Sequence, residues 1–244
     1  MKIRVDNISK SYNKIKFLEH VNLNLNCGET VCIIGKSGIG KTTLLNIISG
    51  LESPDSGKIF LNDENITSNS GKISYMMQKD LLLPYLKIID NVSLPLVING
   101  ESKKSARSKA LSYFKIFEIE GTENKYPHEL SGGMKQRAAL LRTYIFSSEV
   151  ILLDEPFSAL DAITREKMRE WYFNISKKIG LSTVFITHDI DEAIMLSDRI
   201  YVLAGHPAGI TNEIKIERGD MSYTEFCVGT KFLEYKKLVL SALR

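Results

Sequence analysis

A glycine-rich stretch at residues 35–42 constrains the fold of this chain more than any other feature. It reads Gly-Lys-Ser-Gly-Ile-Gly-Lys-Thr and fits the pattern GxxxxGK[ST]. The short apolar run Thr30–Ile34 precedes it, and an apolar helical pattern that Gly50 is placed to end follows it. Because a chance glycine turn would rarely fall between a buried strand and a helix, this context predicts a phosphate-binding loop.

The chemistry of this loop follows from its backbone. Glycines let successive N–H groups point inward around an anion, and the following helix adds its positive N-terminal end. We expect Lys41 to reach the β- and γ-phosphates of a nucleotide and the Thr42 hydroxyl to coordinate Mg²⁺. The predicted nucleotide-binding residues of the loop are Gly35, Lys36, Ser37, Gly38, Ile39, Gly40, Lys41, Thr42 and Thr43.

A second marker is the apolar run Val150–Leu153, which ends in the two acids Asp154 and Glu155. A buried strand of this kind brings its last residue to the carboxyl edge of an open α/β sheet, where ligands bind. We expect Asp154 to hold Mg²⁺ through water and Glu155 to orient and polarise an attacking water. Alone, the pair fits an ordinary acidic helix cap equally well; together with the phosphate loop it indicates a nucleotide hydrolase.

The order of patterns along the chain predicts an α/β core with a mostly parallel sheet, because short apolar strands alternate with helical segments. We expect a single domain over 1–244, with a nucleotide-binding core formed by 1–79 and 149–216. The largely helical segment 80–148 predicts a helical subdomain inserted in that core. The remaining residues, 217–244, are expected to form a helical tail, in which Tyr223–Leu243 reads as one terminal amphipathic helix. The predicted strands are Lys2–Ser9, the alternating stretch around Val21–Leu25, Thr30–Ile34, Ile73–Met76, Val150–Leu153, Thr183–Thr187 and Ile200–Leu203.

Charge and composition argue against several classes of protein. The 32 basic and 29 acidic residues give a formal charge of +3, which is too even to indicate a nucleic-acid partner. No stretch approaches the roughly 18 apolar residues of a membrane span, and the N-terminus lacks a signal-peptide core. We therefore expect a cytosolic protein. The three cysteines, Cys27, Cys32 and Cys227, form no paired motif, which favours small apolar side chains over a disulfide or zinc site.

The segment Leu130–Arg137 reads Leu-Ser-Gly-Gly-Met-Lys-Gln-Arg. Ser131 can cap a helix, and Gly132 and Gly133 leave backbone N–H groups open to an anion. The chain thus offers a second phosphate-binding helix end, which one nucleotide does not need. This segment resembles the LSGGQ signature of ABC ATPases, with Met134 in the variable last place.

The resemblance covers about residues 1–216 and implies a P-loop NTPase core of ABC type, with an antiparallel β subdomain and an inserted helical subdomain. It implies two such chains head to tail, each ATP lying between the phosphate loop of one copy and the signature helix of the other. It also assigns further site residues: Tyr12 stacks on adenine, Gln78 contacts Mg²⁺ and water, Asp161 lies in the loop that crosses the dimer interface, and His188 senses the γ-phosphate.

Two stretches resemble a subfamily more narrowly. Leu82–Leu86 followed by Asp-Asn-Val, and Leu160–Arg165, are similar to motifs of nitrate, sulfonate and taurine importer ATPases, a group that includes importers of pyrimidine precursors. The segment 205–210 matches their motif imperfectly, because His206 stands where they have arginine.

The subfamily resemblance implies a homodimer at the cytoplasmic face of the membrane, beneath an integral-membrane permease served by an extracytoplasmic solute-binding protein. The hypothesis that Gln78–Leu86 touches the permease follows from its apolar and aromatic content. A non-transport ABC ATPase, such as an iron–sulfur assembly factor, stays open as the alternative, although the Pro84–Tyr85 region argues against it.

Overall fold

Two β-sheets organise the fold. Along the chain, most helices lie between successive strands of the larger sheet. The computed structural model describes residues 1–147, 149–219 and 221–243. Along the chain the elements are β1 (Ile3–Tyr12), β2 (Ile15–Leu25), β3 (Thr30–Ile34), α1 (Lys41–Ile48), β4 (Ser56–Leu61), β5 (Glu64–Asn65), β6 (Ser74–Met76), α2 (Ile88–Ile98), α3 (Lys103–Leu111), α4 (Gly132–Phe146), β7 (Val150–Asp154), α5 (Ala162–Lys178), β8 (Ser182–Thr187), α6 (Ile190–Leu196), β9 (Arg199–Ala204), β10 (Gly209–Lys215), α7 (Tyr223–Val228) and α8 (Thr230–Ala242).

The larger sheet has the strand order β10-β9-β3-β8-β7-β6. Its strands pair in parallel from β9 to β6, and β10 is antiparallel at one edge. Strands β3, β7 and β8 are buried along their whole length, which explains their nearly continuous apolar sequences. The predicted α/β core is confirmed, and the predicted strands at 30–34, 73–76, 150–153, 183–187 and 200–203 each fall within one residue of an observed strand.

The smaller sheet is antiparallel, with the order β2-β1-β4-β5. Val5 pairs with Leu23 on one side and with Ile59 on the other. Its buried face packs with Leu44 of α1 and Ile33 of β3 in one apolar cluster. The antiparallel sheet implied by the resemblance is therefore present, and it covers the helix that follows the phosphate loop.

Helices α2, α3 and α4 lie between β6 and β7, in the segment predicted to be helical. Phe114 and Phe117, in the turns after α3, are buried in the second apolar cluster together with residues of α4 and α5. The division into core, helical subdomain and tail remains a prediction, and its boundary residue Ser148 lies outside the described residues. Within the described residues, no helix combines the length and the apolar character that crossing a membrane requires.

The tail forms two helices, so the prediction of one continuous helix is wrong. Gly229 has extended backbone (φ −80°, ψ 159°) and both ends α7 and begins α8. The break turns the chain so that Phe226 and Phe232 pack edge to face, with ring centroids 6.1 Å apart, and Val239 is buried as well. A straight helix could not bring all three side chains to the core, so packing overrides the helical pattern.

Asn91 organises the loop between β6 and α2. Its side chain is fully buried, and its Oδ1 accepts from the backbone N–H of Leu83 at 2.7 Å. Its Nδ2 donates to the carbonyl oxygens of Leu83 and Leu86 at 3.0 Å and of Lys87 at 3.3 Å. One amide thus replaces the hydrogen bonds that this irregular backbone lacks.

Replacing Asn91 with Ala should lower the free energy of unfolding by about 1–3 kcal/mol, because the buried backbone groups of the loop lose their partner. Urea unfolding followed by circular dichroism measures the change. Asn99→Ala, at an exposed asparagine after α2, is the matched control and should have little effect. Equal stability of the two variants would contradict the assigned role of Asn91.

Candidate functional site

The phosphate loop is pressed closely against its neighbours. A Cβ atom on Gly35 would lie 2.5 Å from the carbonyl oxygen of Leu203, and one on Gly40 would lie 2.9 Å from the Leu18 side chain. Gly40 also has φ 114° and is the residue that precedes α1. Only glycine fits these two positions. The glycines therefore serve the shape of the loop, whose backbone runs into the N-terminus of α1 as the motif predicts.

The buried side chain of Lys41 reaches back to the start of the phosphate loop. It is the first residue of α1 and is only 6% exposed. Its Nζ donates to the carbonyl oxygens of Gly35 at 2.8 Å and Lys36 at 3.1 Å. Burial lowers the pKa of Lys41, while the negative charges of Glu155 and Asp154 oppose that shift. The ammonium group is therefore close to both acids of the strand end.

Asp154 is the last residue of β7 and is 8% exposed. It accepts hydrogen bonds from the Thr42 hydroxyl and, at 3.3 Å, from the Tyr75 hydroxyl. Burial raises the pKa of Asp154, and these two hydrogen bonds oppose the shift. The two residues predicted from separate motifs to hold Mg²⁺ are thus in direct contact.

Glu155 is the point on which the other predicted catalytic residues converge. Its Oε1 lies 3.0 Å from Nδ1 of His188, and its Oε2 accepts from Nε2 of Gln78 at 3.3 Å. The backbone of Glu155 has φ 44°, a left-handed conformation that is unfavourable for this residue type, and its N–H donates to the carbonyl of Ile186 at 3.0 Å. Such strain is typical of functional positions that surrounding structure holds in place.

Tyr12 ends β1 beside the start of α1. Its ring is 42% exposed and packs edge to face on Phe17, with centroids 5.6 Å apart. Its hydroxyl donates to the carboxylate of Glu52, which also pairs with Lys10 at 3.1 Å. Partial burial and then Glu52 raise the pKa of Tyr12, while a hydrogen bond with Thr43 lowers it. The ring is thus fixed next to the phosphate loop with one part open to a ligand.

The signature segment begins α4, with Ser131 as its N-cap. The Ser131 side chain accepts from the N–H of Met134 at 3.3 Å, and both Ser131 and Gly132 are exposed. A Cβ on Gly132 would lie 3.2 Å from the Leu160 side chain, so the loop that ends at Asp161 packs against it. Asp161 caps α5 by accepting from the Thr164 N–H at 3.0 Å. A hydrogen bond from the Thr164 side chain, and then the one from its N–H, lower the pKa of Asp161.

The site therefore has two parts. Side-chain contacts join Gln78, Glu155 and His188 directly, and they join Thr42 to Asp154. Ser131 and Asp161 instead make local capping bonds at the starts of α4 and α5.

Two residues of the site were not predicted from the sequence. Tyr75 donates to Asp154, and Glu52 holds the hydroxyl of Tyr12. Tyr75 lies in the three-residue strand β6, and only the parallel pairing of β6 with β7 brings it beside the acids. Glu52 follows Gly50 in a turn and matches no motif. Local sequence carries no signal for either contact.

A phosphate loop, an acidic strand end and a signature helix on this α/β fold define an ABC-type ATP hydrolase. The family model described as ABC transporter matches residues 18–158, which is more than half of the chain. The chain therefore belongs to the ABC transporter family, as the signature segment predicted.

Named relatives and solved structures agree with this assignment. A formylaminopyrimidine import ATP-binding protein of Halalkalibacterium halodurans is 44% identical over 82% of this chain and 78% of its own length. An aliphatic sulfonates import ATP-binding protein of Bacillus cereus is 37% identical over 98% of this chain and 95% of its own. An ATP-binding cassette solved as a dimer after hydrolysis, with ADP and phosphate bound, is 32% identical over 89% of this chain and 100% of its own, with a TM-score of 0.73.

Replacing Gly35 with Ala should both destabilise the chain and abolish nucleotide binding, because the added Cβ would force the loop away from the Leu203 carbonyl. Thermal unfolding and titration with a fluorescent ATP analogue measure the two effects. Gly100→Ala is the matched control: φ is 93° there, and no atom lies within 4 Å of the added Cβ. Gly100→Ala should lower the free energy of unfolding only through backbone strain, by about 1–2 kcal/mol. Its affinity for the ATP analogue should not change. Normal affinity in Gly35→Ala would contradict the account of the loop.

Proposed function

We propose that this chain is the ATP-hydrolysing subunit of an importer and energises the uptake of a small solute through a membrane permease. The observation that carries the proposal is the convergence of Gln78 and His188 on the carboxylate of Glu155, beside a buried Asp154 and the phosphate loop. The names of the relatives from Halalkalibacterium halodurans and Bacillus cereus support the import direction. They also support a small organic solute or anion as the class of cargo.

ATP would bind through the loop and Tyr12. The backbone N–H groups of 35–43 surround the phosphates, and Lys41 exchanges its bonds to the Gly35 and Lys36 carbonyls for bonds to phosphate oxygens. The half-exposed ring of Tyr12 offers a face to the adenine base, a contact worth about 1–3 kcal/mol per base in nucleic-acid complexes.

The residues beside the loop fit Mg²⁺. Thr42, Gln78 and Asp154 supply oxygen donors only, which this hard cation prefers. Among the described residues no group of three or more His, Cys, Asp or Glu could hold a metal by itself. That suits a cation held by one carboxylate together with substrate phosphates. Bound there, Mg²⁺ would neutralise charge that develops on the phosphate oxygens.

Hydrolysis would use the residues around Glu155. Glu155 accepts a hydrogen bond and then a proton from the attacking water. The water oxygen forms a bond to the γ-phosphorus as the bond to the β–γ bridging oxygen breaks, and ADP leaves with the electron pair of that bond. ADP and phosphate result. His188 lies 3.0 Å from one carboxylate oxygen and Gln78 3.3 Å from the other, so both can orient Glu155 and contact the γ-phosphate or the water.

A second copy of the chain would complete each site. Ser131 and Gly132 are exposed at the N-terminus of α4, where free N–H groups favour an anion, and the chain's own ATP does not need this second anion site. We propose that Ser131, Gly132 and Gly133 bind the γ-phosphate held by the partner's loop, and that Asp161 lies at the interface. A related cassette with ADP and phosphate was solved as a dimer.

Glu155→Gln should lower kcat for ATP by at least about 10²-fold while keeping ATP affinity, because the amide cannot accept the proton of the water. It should also accumulate an ATP-bound dimer, detected by size-exclusion chromatography alongside phosphate release. Glu64→Gln, at an exposed acid on β5, is the control. Unchanged kcat in Glu155→Gln would overturn the catalytic role of this residue.

The permease would dock in an apolar groove beside the Gln78–Leu86 segment. The groove has a volume of about 420 Å³ and includes Leu51, Met77 and Ile98, which are 60%, 44% and 74% exposed. Arg142 lines it and donates to the carbonyl oxygens of Asp80 and Leu81. A helix docked there would contact Arg142, which holds the backbone of the segment that begins with Gln78, and this gives a physical route from the permease to the ATP site.

Tyr85, which is 71% exposed, is the sharpest probe of this contact. Tyr85→Ala should abolish solute uptake by the complete transporter while basal ATPase activity is kept, because the permease loses an aromatic anchor. Tyr85→Phe keeps the ring and should retain uptake. Uptake assays in cells and ATPase assays on the purified complex measure the two activities. Equal loss of both activities in Tyr85→Ala would contradict the docking proposal.

A further inference from the structure

A buried cluster braces the turn that carries His188. The Thr187 hydroxyl accepts from the N–H of Asp189 at 3.0 Å and donates to the carboxylate of Glu192 at 2.9 Å. Asp189 in turn accepts from the N–H of Glu192 at 3.1 Å and so caps α6. Hydrogen bonds therefore fix Thr187 and Asp189, the residues on either side of His188, while the His188 side chain faces Glu155.

Arg169 of α5 is the cation of this cluster. It is 6% exposed, its Nη2 donates to Oδ2 of Asp189, and the same nitrogen lies 3.5 Å from Oε2 of Glu192. One guanidinium therefore ties α5 to both ends of the first turn after His188. A planar group with several donors suits this task better than an ammonium group.

The same helix holds the segment that follows Glu155. Arg165 lies one turn before Arg169, so the two arginines project from the same face of α5. The Arg165 guanidinium donates to the carbonyl oxygen of Phe157 at 3.2 Å and to that of Leu160 at 2.6 Å. Helix α5 thus contacts both the segment that follows Glu155 and the segment that follows His188.

We propose that Arg165 and Arg169 are positioning residues for hydrolysis, and that Arg169, acting through Asp189 and Glu192, aims His188 at Glu155. The inference rests on the proposed roles of Glu155 and His188. Since Asp161 caps α5, the two arginines of this helix also couple the loop that ends at Asp161 mechanically to the turn of His188.

The charges in the cluster make the brace sensitive to pH. Arg169 faces Asp189 and Glu192, with Glu166 at 3.8 Å and the Tyr223 phenol nearby, and the Cys32 thiol faces Glu192 from β3.

Burial raises the pKa of Glu192 to about 7, while Arg169 opposes the shift. Below that pH Glu192 is protonated and neutral, so the guanidinium of Arg169 pairs with Asp189 alone. Above it, the buried carboxylate of Glu192 and the partly buried carboxylate of Asp189 compete for one cation.

The sign of the stability effect follows from this raised pKa. The folded chain binds the Glu192 proton more tightly than the unfolded chain, whose carboxyl has a pKa near 4.5. The contribution of Glu192 to the free energy of unfolding is therefore fully present below the unfolded pKa and is lost as pH rises through about 7. In Glu192→Gln, which mimics the protonated form, this loss should be absent.

A double-mutant cycle on ATPase kinetics tests the positioning role of Arg169. Arg169→Met should lower kcat by about 10²-fold, the scale expected when a catalytic group is misplaced, and leave KM for ATP within about twofold. Arg169→Met combined with His188→Ala should be no slower than His188→Ala alone, because Arg169 acts only through His188. Lys167→Met, at an exposed cation on α5, is the control and should behave as wild type.

The outcomes separate the two levels of the proposal. A normal kcat in His188→Ala would overturn the proposed role of His188 and this inference with it. A large loss in His188→Ala with a normal kcat in Arg169→Met, or additive losses in the double variant, would overturn the inference alone.

Glu192→Gln decides the case if Arg169→Met does not fold. The ratio of its kcat to that of wild type should rise from about pH 6 to about pH 8, and so should its melting temperature relative to wild type. A kcat ratio that stays constant with pH would overturn the proposal.

Discussion

The parallel pairing of β3, β8 and β7 is the interaction on which the rest of this structure depends. Ile34 pairs with Thr187, and Ile186 pairs with Asp154, so three strands end at the same level of one sheet edge. Each is followed at once by a polar segment: the phosphate loop, the turn of His188 and the acid Glu155. The apolar lengths of these strands therefore set the distances within the site.

Tight packing around the site then fixes conformations that would be costly alone. Glu155 keeps a left-handed backbone because its N–H is bonded to the carbonyl of Ile186, in the neighbouring strand. Gly35 and Gly40 allow the loop to pass within contact distance of Leu203 and Leu18. The regular parallel pairing of β3, β8 and β7 holds these strained and closely packed segments in place.

The regions proposed to bind other chains differ from the site in character. The N-terminus of α4 is polar and exposed, which suits a transient contact that ATP completes. The groove beside 78–86 is apolar, which suits a lasting contact with a permease. Arg142 links the groove to the segment that begins with Gln78, and α5 links the loop at Asp161 to the turn of His188. Rigid helices thus connect each proposed interface to the hydrolysis residues.

The sequence by itself determined the family, the phosphate loop, most strands of the larger sheet and most candidate site residues, because glycine spacing and apolar runs are local patterns. The contacts of Glu155 with Gln78 and His188 join residues 77 and 33 positions apart, and only strand order brings them together. Tertiary packing alone decided the break at Gly229 and the cluster around Arg169, since each depends on burying side chains against distant elements that no local pattern encodes.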